Sequence, residues 1–303
     1  MSYGRTHAVR GIDLSVERGE VFAFLGPNGA GKTTTVEILE GYRRRTGGEV
    51  EVLGEDPQRA GREWRERIGI VLQSSRLDPY LTVREQLELF AGYYRQPLAV
   101  EQVISLVGLD GKADERARKL SGGQQRRLDV GLALIGDPEL LFLDEPTTGF
   151  DPSARRQFWD VIAGLRELGK TIFLTTHYMD EAQRLADRVT IIAAGRIVAR
   201  GTPADLGSRD SGATTIRYRA EGREVEVETT DPVKTLHELT GAALAKGENL
   251  EGLEVTRPTL EDVYLELTAE ESEDAASVEP TEATDPAEAT EPAEATEHAE
   301  AHK

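Results

Sequence analysis

The chain has 303 residues, with 36 Lys+Arg against 55 Asp+Glu and a formal net charge of −19. At roughly 100–200 residues per domain, that length holds one large domain and a smaller one. The absence of cysteine excludes disulfides, thiolate metal sites and a cysteine nucleophile, and fits a reducing cytoplasm. No apolar run approaches the ~18–20 residues of a membrane helix, and neither a signal peptide nor a transit segment follows Met1. Ala269–Lys303 carries twelve acidic residues and one Lys, so residues 1–268 hold only −8. With no basic excess, a nucleic-acid partner is disfavoured.

Val21–Leu25 (Val-Phe-Ala-Phe-Leu) lacks polar alternation, as expected of a strand buried on both faces of a largely parallel sheet. It runs into Gly26-Pro27-Asn28-Gly29-Ala30-Gly31-Lys32-Thr33, which has phosphate-loop spacing, and then into a helical pattern, Thr33–Leu39. The glycines let successive backbone N–H groups turn toward one anion, and the helix start adds partial positive charge. Lys32 would meet the β/γ-phosphates, and the Thr33 hydroxyl could ligate Mg²⁺. A Gly-rich turn that binds nothing is the competing reading, and the strand-before, helix-after context argues against it. Gln73 follows an apolar run and by itself reads as a strand end.

From about Leu77 to Leu120 the pattern is helical only. Arg84–Tyr94 and Val100–Val107 repeat at 3.6 residues, which marks a helical insert. Leu120-Ser121-Gly122-Gly123-Gln124 opens a helix over Gln125–Ile135, with Ser121 as N-cap and a second set of backbone N–H groups open to an anion. Leu140–Leu143 reads as a buried strand ending in Asp144 and Glu145. An acid there sits where ligands bind in open α/β sheets: Asp144 could hold Mg²⁺ and Glu145 could polarise a water. Asp151 caps a helix over Pro152–Leu168, with Pro152 at its first position. Thr171–Thr175 and Val189–Ala193 are two further buried strands, and His177 lies just past the first. Alone, that His would be a polar residue opening a helix.

After Gly201 the pattern changes. Thr214–Arg219 and Glu224–Glu228 alternate as a hairpin around Glu221-Gly222, followed by helices near Val233–Leu239 and Thr259–Leu267. These form a small α+β appendage. In the last 35 residues Pro280, Pro286 and Pro292 recur every six residues among Ala, Glu and Thr. That composition reads as a disordered tail.

The phosphate loop, Gln73 about 40 residues on, Leu120–Gln124, Leu143–Pro146, Gly149-Phe150-Asp151 and Thr176-His177 occur in order and spacing that resemble ATP-binding cassette (ABC) ATPases. The resemblance spans about residues 1–205. His177–Ala182 and Pro258–Tyr264 resemble the daunorubicin/doxorubicin-type drug-export subfamily, less specifically. The resemblance implies an α/β P-loop NTPase core (1–205) with a helical insert (about 77–120), the α+β unit (206–268) and the acidic tail (269–303). It implies ATP and Mg²⁺ as ligands and a head-to-tail homodimer around two ATPs.

By the same resemblance, Gly26, Pro27, Asn28, Gly29, Ala30, Gly31, Lys32, Thr33 and Thr34 hold the phosphates. Ser121, Gly122, Gly123 and Gln124 cap the γ-phosphate in trans. Glu145 is the catalytic carboxylate, His177 the γ-phosphate switch and Gln73 a sensor of phosphate or metal. Thr33, Gln73 and Asp144 are the metal residues, and Asp151 communicates across the dimer. Tyr3 stacks on adenine, although relatives usually carry another strand before this aromatic. Either the true start lies upstream or the β-subdomain is shorter.

The expected role is an ATPase subunit on the inner face of the cell membrane, powering export by a separate permease. Drugs or other hydrophobic compounds are the expected cargo; polysaccharide, lipid or Na⁺ are alternatives. A soluble cassette ATPase acting on ribosomes or DNA is a second reading, but such relatives typically have two cassettes, a long coiled coil or zinc-binding cysteines. A small phosphoryl-transfer kinase is a third, and it leaves Ser121–Gln124 and His177 without a task.

Overall fold

The computed structural model describes residues 1–3, 6–73, 77–207, 214–220, 223–247, 249–256 and 264. A short antiparallel pair, β1 (Ser2–Tyr3) and β2 (Thr6–His7), precedes β3 (Val21–Leu25) and α1 (Lys32–Leu39). α2 (Arg62–Glu66) leads to β4 (Ile68–Val71), and α3 (Val83–Ala91) and α4 (Val100–Leu106) make the helical insert. Then come α5 (Gly122–Leu134), β5 (Leu140–Asp144), α6 (Pro152–Glu167), β6 (Thr171–Thr176), α7 (Met179–Leu185) and β7 (Arg188–Ala193). β8 (Arg196–Gly201) and α8 (Pro203–Gly207) follow. β9 (Thr214–Ala220), β10 (Arg223–Thr229), α9 (Pro232–Lys246) and β11 (Glu251–Thr256) complete the described elements.

The main sheet has the order β4-β5-β6-β3-β7-β8, parallel except for β8 at its edge. β3 and β6 are buried along their whole length, which explains their unbroken apolar runs. On one face Phe173 stacks against Phe22, Phe24 and Phe142 at centroid separations of 5.3, 5.8 and 5.6 Å. The opposite face packs α5, α6 and the insert through Leu128, Leu134, Phe158, Leu87 and Val103.

Register decides where the strand ends fall. Leu25 pairs with Thr176, Asp144 with Thr175 and Val71 with Leu143. The phosphate loop, Asp144-Glu145, His177 and the segment entering Gln73 therefore leave the sheet along one carboxyl edge, where open α/β sheets bind ligands.

Two strands of this sheet are not evident from apolar runs. β4 is four residues long and contains Gly69, where a Cβ would stand 2.5 Å from the Ala133 carbonyl of α5. The glycine dilutes the strand signal, yet it permits the close helix packing. β8 is a half-exposed edge strand with charged residues, joined to β7 by the tight turn at Ala194-Gly195.

α3 begins with a Thr82–Glu85 capping box, and α6 begins at Pro152 with Asp151 accepting from the Ser153 and Ala154 N–H groups at 2.8 and 2.9 Å. α8 inserts Leu206 into a buried cluster with Ala23, Leu25 and Ile191. β10, β9 and β11 form a separate antiparallel sheet, so the hairpin expectation is met; residues 221 and 222 lie outside the described residues. α9 runs past Leu239 to Lys246, since the Ala-rich continuation favours helix. The expected helix at Thr259–Leu267 and the tail from Ala269 lie outside the described residues, except Tyr264, which packs against the Leu206 cluster. Among the described residues no helix is long and apolar enough to cross a membrane.

Candidate active site

The loop between β3 and α1 is shaped by close packing. Gly31 has φ +105, and a Cβ there would run into the Ala8 carbonyl; at Gly26 a Cβ would strike the Ile192 backbone. Asn28, Gly29 and Thr33 are exposed, while Ala30 is buried and its carbonyl accepts from the Gly195 N–H at 3.1 Å. The loop is thus anchored at its base and open at its crest, with Pro27 and Thr34 half-buried between. Thr33 presents its hydroxyl on the first turn of α1.

Lys32 folds back over this loop. Its ammonium donates to the Gly26 and Pro27 carbonyls at 2.7 and 3.2 Å and lies 3.6 Å from Glu145 Oε1. Burial pulls its pKa below the usual lysine range, and the charges of Glu145 and Asp144 oppose that shift. A buried cation held against carbonyls is available to an anion that replaces those contacts.

Glu145 is the centre of the arrangement. It adopts φ 43, left-handed and uncommon for a residue with a Cβ. Its N–H is held by the Thr175 carbonyl at 3.1 Å and by Thr175 Oγ1 at 3.0 Å, which support the strained turn. Thr175 Oγ1 also donates to Asp144 Oδ1 at 2.5 Å, fixing both acids from one side chain. Gln73 Nε2 donates to Glu145 Oε2 at 3.4 Å, and the Thr148 hydroxyl donates to the same oxygen at 3.4 Å. His177 Nδ1 lies 3.3 Å from Glu145 Oε2, but its geometry does not make a hydrogen bond, and that nitrogen is buried without a partner.

The structure therefore brings Lys32, Gln73, Asp144, Glu145 and His177 together. Ser121 and Gln124 are occupied with each other: Ser121 Oγ accepts from the Gln124 N–H at 3.3 Å, and Gln124 Oε1 accepts from the Ser121 N–H at 2.9 Å. This capping box starts α5 at Gly122-Gly123 and leaves Ser121 and Gly122 exposed. Asp151 is spent on capping α6 and is itself exposed. Tyr3 lies in β1 opposite Thr6; its side chain is outside the described residues.

Sequence reasoning missed two residues that organise the site. Thr175, inside a strand, joins the acids as described. Arg126, on α5 and 7% exposed, spreads its guanidinium over three carbonyls. It donates to Pro146 O at 3.1 Å, to Asp144 O at 2.8 Å and to Leu72 O. One buried fork thus ties the helix after Ser121 to the peptides flanking Glu145 and Gln73. A basic residue two positions beyond Gln124, on a helix otherwise entering the core, is the only sequence signal for it.

Comparison with known proteins agrees with this geometry. The family model described as ABC transporter matches residues 9–148. The Nod factor export ATP-binding protein I of Paraburkholderia xenovorans is 39% identical over 293 residues, covering 90% of this chain and 96% of that protein. The daunorubicin resistance ATP-binding protein DrrA3 of Streptomyces coeruleorubidus is 37% identical over 295 residues, covering 89% and 92%. Among solved structures, the dimeric post-hydrolysis state of the ATP-binding cassette MJ0796, bound to ADP and Pi, superposes with a TM-score of 0.59 at 26% identity, covering 67% of this chain and 94% of that one. CbiO1 of Clostridium perfringens, part of an ABC transporter complex, gives 0.61 at 28% identity, covering 67% and 85%. The chain is a member of the ABC transporter ATPase family, an ATP-binding and ATP-hydrolysing cassette.

Proposed function

We propose that this chain is the ATPase subunit of an exporter whose membrane-spanning permease is a separate protein, with drugs or other hydrophobic compounds as cargo. The observation that carries the reading is the cluster around Glu145: an ammonium, an amide and an imidazole converge on one largely buried carboxylate at the sheet's carboxyl edge, next to a second acid held by the Thr175 hydroxyl. The names of the Nod factor and daunorubicin relatives support export.

In this reading the backbone N–H groups of 26–34 and Lys32 bind the β/γ-phosphates, and Glu145 orients the attacking water and takes up its proton. His177 contacts the γ-phosphate, and Gln73 reports its presence to the insert. Two copies pair head to tail, each offering Ser121–Gln124 to the other's phosphate loop, with Asp151 beside that contact and Tyr3 stacking on adenine. The residue division is 1–205 for the cassette, 206–268 for the small α+β unit and 269–303 for the acidic tail.

Mg²⁺ fits the oxygen donors at this edge. Among the described residues no cluster of three or more His, Asp or Glu forms a cage, and Mg²⁺ is ordinarily held by one or two protein oxygens plus phosphates and water. Thr33, Asp144 and Gln73 would hold it, and it would neutralise charge on the phosphate oxygens.

The permease meets the cassette at the groove between the β4 edge and the insert, just below Gln73. On this reading the chain works at the inner face of the cell membrane, held there by its permease. Affinity purification of the tagged chain from detergent-solubilised membranes of its own cells tests the reading. A stoichiometric multi-span protein, with ATPase activity retained, is expected. Recovery with ribosomes or DNA and no membrane protein would favour the soluble cassette alternative.

A further inference from the structure

The groove beside the insert contains a residue that its local surroundings disfavour. The groove encloses about 850 Å³, and its walls include Tyr42, Leu72, Leu77, Phe90 and Tyr94. Tyr42 is 73% exposed, Leu72 47% and Phe90 37%, so this apolar surface is open to a partner. Glu40 belongs to the same lining but is only 6% exposed.

Three effects act against an acid at this position. Burial strips its carboxylate of water, and the nearby Asp144 and Glu37 have the same sign of charge. Glu40 also caps the C-terminus of α1, where the helix dipole favours cations. Among the described residues no hydrogen bond or ion pair is seen to its carboxylate, whose oxygens keep some contact with solvent through the groove. The groove's other charged liners do not answer it: Asp129 is an acid lying 4.0 Å from the Arg126 guanidinium, and Arg65 is exposed. In the free chain the acid meets these penalties by keeping its proton at neutral pH, and a cation entering the groove from outside the chain would let it ionise.

We propose that Glu40 receives a cationic side chain, an arginine or lysine, carried by the apolar permease segment that fills this groove. The inference rests on reading the groove as the permease contact. The segment's apolar side chains lie against Leu72, Leu77 and Phe90, and its one cation ion-pairs with Glu40 below them. The pair gives the contact a fixed register, because only a segment that brings its cation to this position gains the counter-charge.

The test uses the full-length chain and a panel of amphipathic 15-residue peptides in matched pairs. The members of each pair differ only at one central position, arginine in one and norleucine in the other. Binding is read by fluorescence anisotropy of labelled peptide, with basal ATPase and Tm as controls of folding. For the pairs that bind, the arginine member should bind at least tenfold more tightly, and Glu40→Gln should erase that preference while basal ATPase stays unchanged and Tm does not fall. If both members bind equally to the wild-type chain and Phe90→Asp abolishes both, the Glu40 inference is overturned and the groove reading stands. Binding by no peptide of the panel overturns both.

Discussion

The Lys32 ammonium lies 3.6 Å from Glu145, with the two side chains only 5% and 11% exposed. In the proposed reading, the cation for an incoming phosphate is thus parked against the carboxylate that would act on water. On that reading a triphosphate that takes Lys32 would also release Glu145 from this counter-charge, so one displacement would both bind the anion and free the base. Glu145→Gln separates these effects. It should leave ATP binding intact while phosphate release falls by about 10²–10⁴-fold, the usual range for loss of a general base. The ATP-bound dimer should then persist on gel filtration, and a Gln variant that turns over at the wild-type rate would remove Glu145 from the chemistry.

The capping box between Ser121 and Gln124 leaves Ser121 exposed and facing out of its own chain. If it completes the partner's site, damage to the two halves should complement. Lys32→Ala and Ser121→Arg chains are each expected to lack ATPase activity as homodimers. Their mixture contains one composite site with Lys32 from one chain and Ser121 from the other. Activity several-fold above either parent is expected, whereas strict additivity of two dead proteins would argue against the head-to-tail arrangement.

Asp151 caps α6 through two backbone N–H groups, and it is also the proposed contact across the dimer. Two substitutions divide these roles. Asp151→Ala should cost about 1 kcal/mol, a Tm fall of roughly 2–4 °C for a cassette of this size. Asn caps as well as Asp, so Asp151→Asn should hold Tm within about 1 °C. A loss of ATPase in the Asn variant therefore reports the dimer role alone, measured by phosphate release beside a thermal melt.

Much of this arrangement is legible before any coordinates. β3, β5, β6 and β7 are buried on both faces, so they appear as apolar runs. Asp144 and His177 are legible because each follows such a run. What stays hidden depends on register and packing between distant segments. Thr175 looks like any strand threonine until Asp144 is paired opposite it, and Arg126 gains its task only when three carbonyls from two strand ends converge on it. Gly69 hides β4 for the same reason that it is needed there. Gln73 reads as a strand end without the family resemblance, because its contact with Glu145 spans 72 residues.

Glu40 supplies a prediction that needs no partner. Its pKa is pushed from the usual carboxylate range up to about 8, first by burial and then by Asp144 and Glu37. In the unfolded chain the same carboxyl titrates near 4.5. Between those values the folded state holds a proton that the unfolded state has lost, so raising the pH favours unfolding. The contribution is fully present below about pH 4.5 and is lost as pH rises through about 8. The total for this one group is on the order of a few kcal/mol. Glu40→Gln removes the titration while keeping the shape. Urea unfolding of the free cassette at pH 6 and pH 8.5 should therefore show a smaller loss of stability in the variant, with the variant the more stable at the higher pH. Parallel loss in both proteins would mean that the Glu40 carboxylate is already matched by a cation or well solvated.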